Sequence, residues 1–113
     1  MENDIKEVVL CFIDALNNDD FTHAKDYISD DMVFVGAMGT RNGGQAYISD
    51  MEKMRLKYDI KKTFADGNDV CLWYNIAISG QTIFASGWYH VENYRILSIK
   101  VVFDPRPLLE AKK

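Results

Sequence analysis

The sequence has only two cysteines, too few for the disulfide framework of a small secreted domain. Cys11 and Cys71 are far apart in the chain, and neither belongs to a CxxC pair or to a cluster with histidine that would suit zinc. In a reducing compartment both stay free thiols, and a Cys11–Cys71 disulfide is the alternative. We therefore expect no metal site and no cofactor.

The chain also lacks an excess of positive charge. It has 13 Lys and Arg against 17 Asp and Glu, which gives a formal net charge of -4 at pH 7. A nucleic-acid-binding face needs a concentration of basic residues to neutralise phosphates. The only basic pairs are Lys61-Lys62 and Lys112-Lys113. We therefore expect no nucleic-acid partner.

Long hydrophobic runs are absent as well. No apolar stretch approaches the ~20 residues that a transmembrane helix requires. The opening residues, Met1-Glu2-Asn3-Asp4, are polar and acidic, whereas a signal peptide begins with basic and then apolar residues. These features predict a cytoplasmic protein with no membrane partner.

Proline occurs only at positions 105 and 107, so every residue from 70 to 104 has a backbone N–H for a strand ladder. Within this stretch, residues 70–79, 83–91 and 96–104 alternate between two kinds of side chain, which is the period of strands with two different faces. Gly80 suits a tight turn between the first two. We predict three long antiparallel strands, and residues 1–113 as one domain.

The earlier residues predict three helices and shorter strands. The first helix starts at Asn3 or Asp4 and ends before residue 18, the second covers about residues 21–28, and the third starts at Gly44 and extends to Tyr58. Strands are predicted at 32–35 and 60–65, with a loop or brief edge strand at 40–43. This order predicts an α+β fold with three N-terminal helices packed on a curved antiparallel sheet.

Several short segments, taken in order, resemble NTF2-like domains. Residues 8–17, 20–21 and 28–34 resemble their opening, and residues 41–46 resemble the glycine-containing entry to their third helix. Residues 94–96 and 103–104 resemble the last hairpin of SnoaL-like (polyketide cyclase-like) members. The resemblance implies a cystatin-like cone with an apolar pocket, and a dimer through the outer sheet face. It selects no function, because this scaffold carries isomerases, cyclases, hydrolases, transport factors and binding modules.

The strand alternation and the resemblance place the same apolar side chains toward the helices. Such a lining suits a small hydrophobic or aromatic ligand, since methionines adapt to the shape of a ligand. The alternative is that these side chains simply fill the core. The predicted lining consists of Phe12, Leu16, Phe34, Met38, Tyr47, Met51, Met54, Leu72, Tyr74, Ile76, Tyr89, Ile99, Val101 and Phe103.

Candidate catalytic groups are few. Tyr74 and Tyr89 are the pocket-side residues of the long strands that have a proton to share, and Asp104 ends the last strand. Arg41 and Arg106 are candidates for recognising an anionic ligand at the rim, or else solvated residues.

The resemblance to steroid isomerases extends to the fold but not to their catalytic groups. Those enzymes use a carboxylate base with a tyrosine and a protonated aspartate. The matching positions here are Phe12, Gly36 and Tyr89, or Gly87 in place of Tyr89 if the alignment has a gap. Since none of the three groups is kept, we expect no steroid isomerase activity.

The outer face of the long strands combines aromatic and polar residues. An apolar patch of this kind usually marks a contact surface, and we expect a homodimer. In the alternative, a tail containing Leu108 and Leu109 folds back over the patch and leaves a monomer. The predicted interface consists of Trp73, Asn75, Phe84, Trp88, His90, Lys100 and Val102.

Three functions are consistent with these patterns. The first is a SnoaL-like domain that binds a small hydrophobic or aromatic molecule. The second is a cyclase, isomerase or dehydratase that uses general acid–base catalysis. The third is a protein-interaction module that acts through its outer sheet face.

Overall fold

The computed structural model describes residues 2–37 and 39–111. Helices and strands in this part of the chain follow the predicted α+β order up to the last strand, and a short C-terminal helix that was not predicted follows it. They are α1 (Glu2–Asn17), α2 (Phe21–Asp26), β1 (Ile28–Gly36), β2 (Gly39–Asn42), α3 (Gly44–Met54), β3 (Lys57–Asp66), β4 (Asp69–Ile78), β5 (Gln81–Glu92), β6 (Arg95–Phe103) and α4 (Arg106–Ala111).

The strands form one six-stranded sheet in the order β2-β1-β6-β5-β4-β3. Strands β4 to β6 form the predicted antiparallel meander, and β3 extends it by pairing antiparallel with β4. The sheet differs from the prediction at one place, because β1 pairs with β6 in parallel. These two strands are far apart in the chain, so no hairpin constrains their direction, and the helices and hairpins between them bring the chain back in the same sense. The sheet is therefore mixed rather than purely antiparallel.

The β4–β5 hairpin keeps its register over ten residue pairs, from Asp69↔His90 to Ile78↔Gln81. Ser79 and Gly80 make the two-residue turn with φ values of 51° and 77°, the left-handed geometry that matches strand twist. An unbroken register fixes which side chains face the helices. Tyr74 and Tyr89 consequently lie on the helix side, and Trp73 and Trp88 on the outer side.

Helix α1 buries one stripe against the sheet, which consists of Val9, Phe12, Ile13 and Leu16, each at most 2% exposed. Its last residue, Asn17, holds the helix end against β3. The Asn17 amide donates to the Tyr58 carbonyl oxygen at 2.9 Å, and its Oδ1 accepts from the Tyr58 backbone N–H at 2.7 Å. This paired contact holds the backbone of Tyr58 and so fixes the position from which its side chain extends.

Several predicted boundaries were wrong. Helix α2 ends at Asp26 rather than about residue 28, and strand β3 begins at Lys57 rather than residue 60. Helix α3 ends at Met54 rather than Tyr58, because Arg55 adopts a left-handed conformation with φ of 49°. Strand β1 begins at Ile28 rather than residue 32. Asp30 and Asp31 are exposed residues within this strand rather than a break before it.

Cys11 and Cys71 are both free, as predicted. Within the described ranges, no helix is long and apolar enough to cross a membrane.

Candidate functional site

The helices and the concave face of the sheet enclose a cavity of about 250 Å³ that opens to solvent on one side. Side chains from α3 and from strands β1 and β3 to β6 surround it, together with the β1–β2 turn. Its lining consists of Phe34, Gly36, Ala37, Gly39, Tyr47, Asp50, Met51, Met54, Leu56, Tyr58, Tyr74, Ile76, Ile78, Ile83, Tyr89, Val101 and Phe103. The walls are therefore mostly aliphatic and aromatic.

Most of the residues predicted for a pocket lie around this cavity. They are Phe34, Tyr47, Met51, Met54, Tyr74, Ile76, Tyr89, Val101 and Phe103. Phe12, Leu16, Leu72 and Ile99 are at most 2% exposed but do not line the cavity, which corrects that part of the prediction. They belong to the buried hydrophobic core, because a helix stripe and a strand face contain more inward residues than the cavity wall uses. Met38 lies outside the described residues.

The sequence prediction missed several lining residues. Ile83 and Ile78 had a detectable signal, since each shares its strand's inward alternation with predicted residues. Leu56 and Tyr58 were missed because helix α3 ends earlier than predicted and the chain turns into β3. Asp50 gave no signal, because a single carboxylate on a helix is ordinarily exposed.

Tyr74 and Tyr89 form a hydrogen-bonded pair inside the cone. Their hydroxyl oxygens lie 2.7 Å apart, and the residues are 0% and 2% exposed. Gly87, two residues before Tyr89, makes the pair possible. A Cβ at this position would overlap the Tyr74 hydroxyl and come within 2.8 Å of the Tyr89 ring. The glycine leaves the space through which the Tyr74 side chain reaches its partner.

Two further tyrosines complete a set of four phenols around the cavity. The Tyr58 ring meets the Tyr74 ring edge-on at 5.1 Å, and Tyr47 contacts Phe34 at the same centroid distance. The Tyr58 hydroxyl donates to Met51 Sδ at 3.7 Å, which is a weak interaction. The four phenols, Tyr47, Tyr58, Tyr74 and Tyr89, are named the phenol cluster below.

The phenol cluster stays protonated at neutral pH. Burial is the main cause that raises the pKa of each of the four hydroxyls above its ordinary value. Neighbouring phenols add to this for Tyr47, Tyr58 and Tyr89, since an anion on one would repel partial charge on the next. The cluster can therefore donate hydrogen bonds, but it cannot act as a base near pH 7.

Asp50 is the one charged side chain among the described residues that line the cavity. Arg41, on β2, holds it through Nε to Oδ2 at 2.8 Å and Nη2 to Oδ1 at 3.2 Å. Such a two-pronged contact engages both carboxylate oxygens, and each oxygen keeps a second lone pair. The Arg41 guanidinium, which the sequence suggested for binding an anionic ligand, is thus paired with Asp50.

Asp104, a candidate catalytic group in the sequence, is exposed and lies outside the cavity. Arg106 donates to both of its carboxylate oxygens, at 2.6 to 2.9 Å, and these bonds lower the pKa of Asp104. Asp104 has no contact with the cavity among the described residues, so the structure does not bring it together with Tyr74 and Tyr89.

The three positions that match the isomerase groups are spread through the cone. Phe12 is buried behind the lining residue Tyr47, with ring centroids 6.3 Å apart, Gly36 lies on the cavity wall at the end of β1, and Tyr89 belongs to the phenol cluster. Among the described lining residues, the only carboxylate is that of Asp50 on α3. The geometry of the site therefore differs from a tyrosine flanked by two carboxyl groups.

The outer sheet face exposes a continuous aromatic patch. Trp73 contacts Phe64 at 5.1 Å and Phe84 at 6.4 Å between ring centroids, which joins strands β3, β4 and β5. Phe84 is 56% exposed and Val102 is 68% exposed. Helix α4 does not cover this patch, so the structure contradicts the folded-back tail as its cover.

Two of the polar residues predicted for this face, His90 and Lys100, have partners within the chain. His90 contacts Asp69 through Nδ1 at 2.9 Å and Glu92 through Nε2 at 2.7 Å, and Trp88 donates to the same Asp69 at 2.7 Å. The hydrogen bond to Glu92, and then that to Asp69, raises the pKa of His90. Lys100 Nζ lies 4.8 Å from the Trp88 ring centre, and Asn75 is partly buried on the same face.

Comparison with solved structures identifies a similar protein at high identity. An NTF2-like protein of unknown function from Cytophaga hutchinsonii is 50% identical, covers 93% of this chain and 94% of its own, and superposes with a TM-score of 0.92. Among proteins with curated functions, none matches this chain.

More distant structures share the fold. An LEH-like epoxide hydrolase from M. tuberculosis is 21% identical over 96% of this chain and 89% of its own, with a TM-score of 0.81. A de novo designed protein with a curved β-sheet is 18% identical over 99% and 94%, with a TM-score of 0.82. The family model of the SnoaL-like domain matches residues 9–99. The chain therefore belongs to the SnoaL-like family, within the NTF2-like fold that its sequence resembles.

Proposed function

We propose that the protein binds a small hydrophobic or aromatic molecule in its cavity. The observation that carries this proposal is an apolar cavity of about 250 Å³ that opens to solvent at one side. Protein interiors contain few voids larger than a water molecule, so a core that served packing alone would close this space. An apolar cavity of about 150 Å³ is enough for benzene, and this one is large enough for a bigger ligand.

The side chains around the cavity support the same function. Met51 lies in the wall and Met54, 46% exposed, lies where the cavity meets solvent. Unbranched methionine side chains adjust to ligands of different shape. Aromatic walls with a few convergent polar groups are typical of ligand sites.

Thermal-shift screening with neutral one- to three-ring aromatic compounds tests the proposal. A ligand that binds only the native state raises the melting temperature. The Ile76→Trp variant fills the cavity and should abolish the shift, whereas Thr82→Ser, on the exposed side of β5, should keep it. The proposal fails if no compound stabilises the wild type, or if Ile76→Trp is stabilised equally.

An acid–base enzyme is the second candidate, and the position of Asp50 favours it. This carboxylate lines the same cavity as the phenol cluster, so a proton acceptor and proton donors converge on one space. General acid–base catalysis requires such groups within hydrogen-bond reach of the substrate. Once a ligand is found, its conversion by the wild type but not by Asp50→Asn would support an enzyme.

We also propose that two copies associate through the outer sheet face. The aromatic patch of Phe64, Trp73 and Phe84 supplies apolar anchors. The face also carries Lys100 over the Trp88 ring, and the carboxylates of Asp69 and Glu92 that contact His90. Opposite charges on one patch suit a two-fold contact, in which each copy presents both. A different protein bound at this face would make the domain an interaction module.

The free thiols of Cys11 and Cys71 support a cytoplasmic location.

A further inference from the structure

We propose that the cavity selects neutral apolar molecules with a carbonyl oxygen, and that the Tyr74–Tyr89 pair donates a hydrogen bond to this oxygen. This inference rests on the proposed ligand-binding function and narrows its ligand class. Its basis is the number of hydroxyl protons around the cavity compared with the number of acceptors.

The Tyr74–Tyr89 pair has one proton more than it uses. Each phenol carries one proton, and a single hydrogen bond at 2.7 Å joins the two oxygens. Whichever hydroxyl donates within the pair, the proton of the other remains available. In residues 2–37 and 39–111, no further side chain accepts a hydrogen bond from either oxygen. The pair is therefore a hydrogen-bond donor toward anything that binds beside it.

The other two phenols bring one proton and one acceptor oxygen each, so they do not remove the surplus proton. The Tyr58 proton is directed at a thioether, Met51 Sδ, 3.7 Å away, which is a poor acceptor. Tyr47 lies next to Tyr58 and is 3% exposed. Because burial keeps all four hydroxyls protonated, the phenol cluster has more protons than the described residues accept well. A ligand that complements it supplies a hydrogen-bond acceptor.

The charge of the lining favours a neutral ligand. Across the described lining residues there is no Lys, Arg or His, so a carboxylate ligand would lose its hydration without gaining an opposite charge. Asp50 is the only charge present there, and Arg41 already pairs with it. A ketone oxygen fits these conditions, since it accepts hydrogen bonds and carries no net charge.

A matched pair of compounds tests the inference. Tetralin and 1-tetralone have the same two-ring frame and differ by one carbonyl oxygen. A neutral hydrogen bond contributes about 0.5–1.5 kcal/mol, so we expect 1-tetralone to bind the wild type about 2- to 13-fold more tightly than tetralin. Calorimetric titration measures both affinities.

The Tyr74→Phe/Tyr89→Phe double variant identifies the donor. A single substitution would leave one hydroxyl with a free proton, so only the double variant removes the donor completely. It should bind tetralin as the wild type does and lose the preference for 1-tetralone. Tyr94→Phe, which removes an exposed hydroxyl from the β5–β6 turn, should keep the preference.

The outcomes separate this inference from the proposed function. If tetralin binds and 1-tetralone binds no more tightly, or if the double variant keeps the preference, the inference is wrong and the ligand-binding function stands. If neither compound binds, both are wrong. The carbonyl stretching band of 1-tetralone bound to wild-type protein gives a second measurement that needs no variant. A band below its position in alkane supports the hydrogen bond, and a band at the alkane position contradicts it.

Discussion

The hydroxyl oxygens of Tyr74 and Tyr89 lie 2.7 Å apart, although their Cα atoms belong to different residue pairs of the β4–β5 hairpin. Tyr74 pairs with Ala85 and Tyr89 pairs with Val70, so the Tyr74 side chain has to extend over Gly87 to reach its partner. The register of the β4–β5 hairpin therefore decides where the two hydroxyls meet beside the cavity.

Gly87→Ala should destabilise the protein, because the new methyl group overlaps the Tyr74 hydroxyl. Overpacking of this kind costs about 1–3 kcal/mol of the free energy of unfolding. Urea denaturation of wild type and variant measures the loss. Ser86→Ala, the neighbouring position on the outer face, is the matched control and should change the free energy by less than about 0.5 kcal/mol. An equally stable Gly87→Ala would show that the two tyrosines do not require the glycine.

The buried phenols should make the protein less stable at alkaline pH. Their pKa values are raised in the folded state, whereas an unfolded tyrosine ionises near about pH 10. This contribution to stability is fully present below about pH 10 and is lost as the pH rises toward the folded pKa values, because the unfolded chain then releases protons that the folded chain keeps.

Each buried phenol contributes a slope that approaches about -1.4 kcal/mol per pH unit above the unfolded pKa. Removing two hydroxyls with Tyr74→Phe/Tyr89→Phe should therefore reduce the alkaline slope relative to wild type. Urea unfolding at pH 9, 10 and 11 gives the slopes, with Tyr94→Phe as the exposed control. Identical slopes for wild type and the double variant would mean that these phenols ionise freely when folded.

Much of this arrangement follows from alternation in the sequence. The strand pattern predicted that Tyr74 and Tyr89 face the helices and that Trp73 and Trp88 face outward, and the paired register confirms both. Alternation is informative here because one face of the meander is buried and the other is not. Alternation does not indicate how deep in the cone a residue lies, and for this reason the core residues Leu72 and Ile99 were placed in the cavity wall.

The remaining differences arise where tertiary contacts override local patterns. Tyr58 continues the apolar spacing of α3, but the left-handed Arg55 ends the helix and the Asn17 side chain holds the Tyr58 backbone in β3. The approach of Asp50 to the cavity depends on Arg41 from a strand nine residues away. No period in the sequence encodes contacts of this kind.

Trp88→Glu should dissociate the proposed dimer. Burying an unpaired carboxylate in an apolar contact is strongly unfavourable. Sedimentation equilibrium should give about 26 kDa for the wild type, twice the chain mass of 13.0 kDa, and the mass of one chain for the variant. Tyr94→Glu places the same charge at an exposed residue of the β5–β6 turn and should remain dimeric. A wild type that is monomeric at tens of micromolar would rule out the dimer.

The protein should show no isomerisation of steroid double bonds above background. Phe12 has no hydroxyl, Gly36 has no carboxylate, and Tyr89 is held protonated beside Tyr74. A general base is required to move the proton in that reaction. Spectrophotometric assay with a β,γ-unsaturated ketosteroid checks this expectation, and turnover would mean that another group, with Asp50 the first to examine, serves as the base.

The most direct measurement of ligand binding in the cavity is methyl NMR of protein labelled at isoleucine and methionine, titrated with 1-tetralone. If the cavity is the binding site, the methyl signals of Ile76, Ile83 and Met51 shift, because these side chains line it, whereas those of Ile13 and Ile28, buried elsewhere in the core, stay in place. Ile76→Trp should abolish the shifts. Unchanged spectra at saturating 1-tetralone, or shifts confined to residues outside the cavity, would contradict ligand binding at this site.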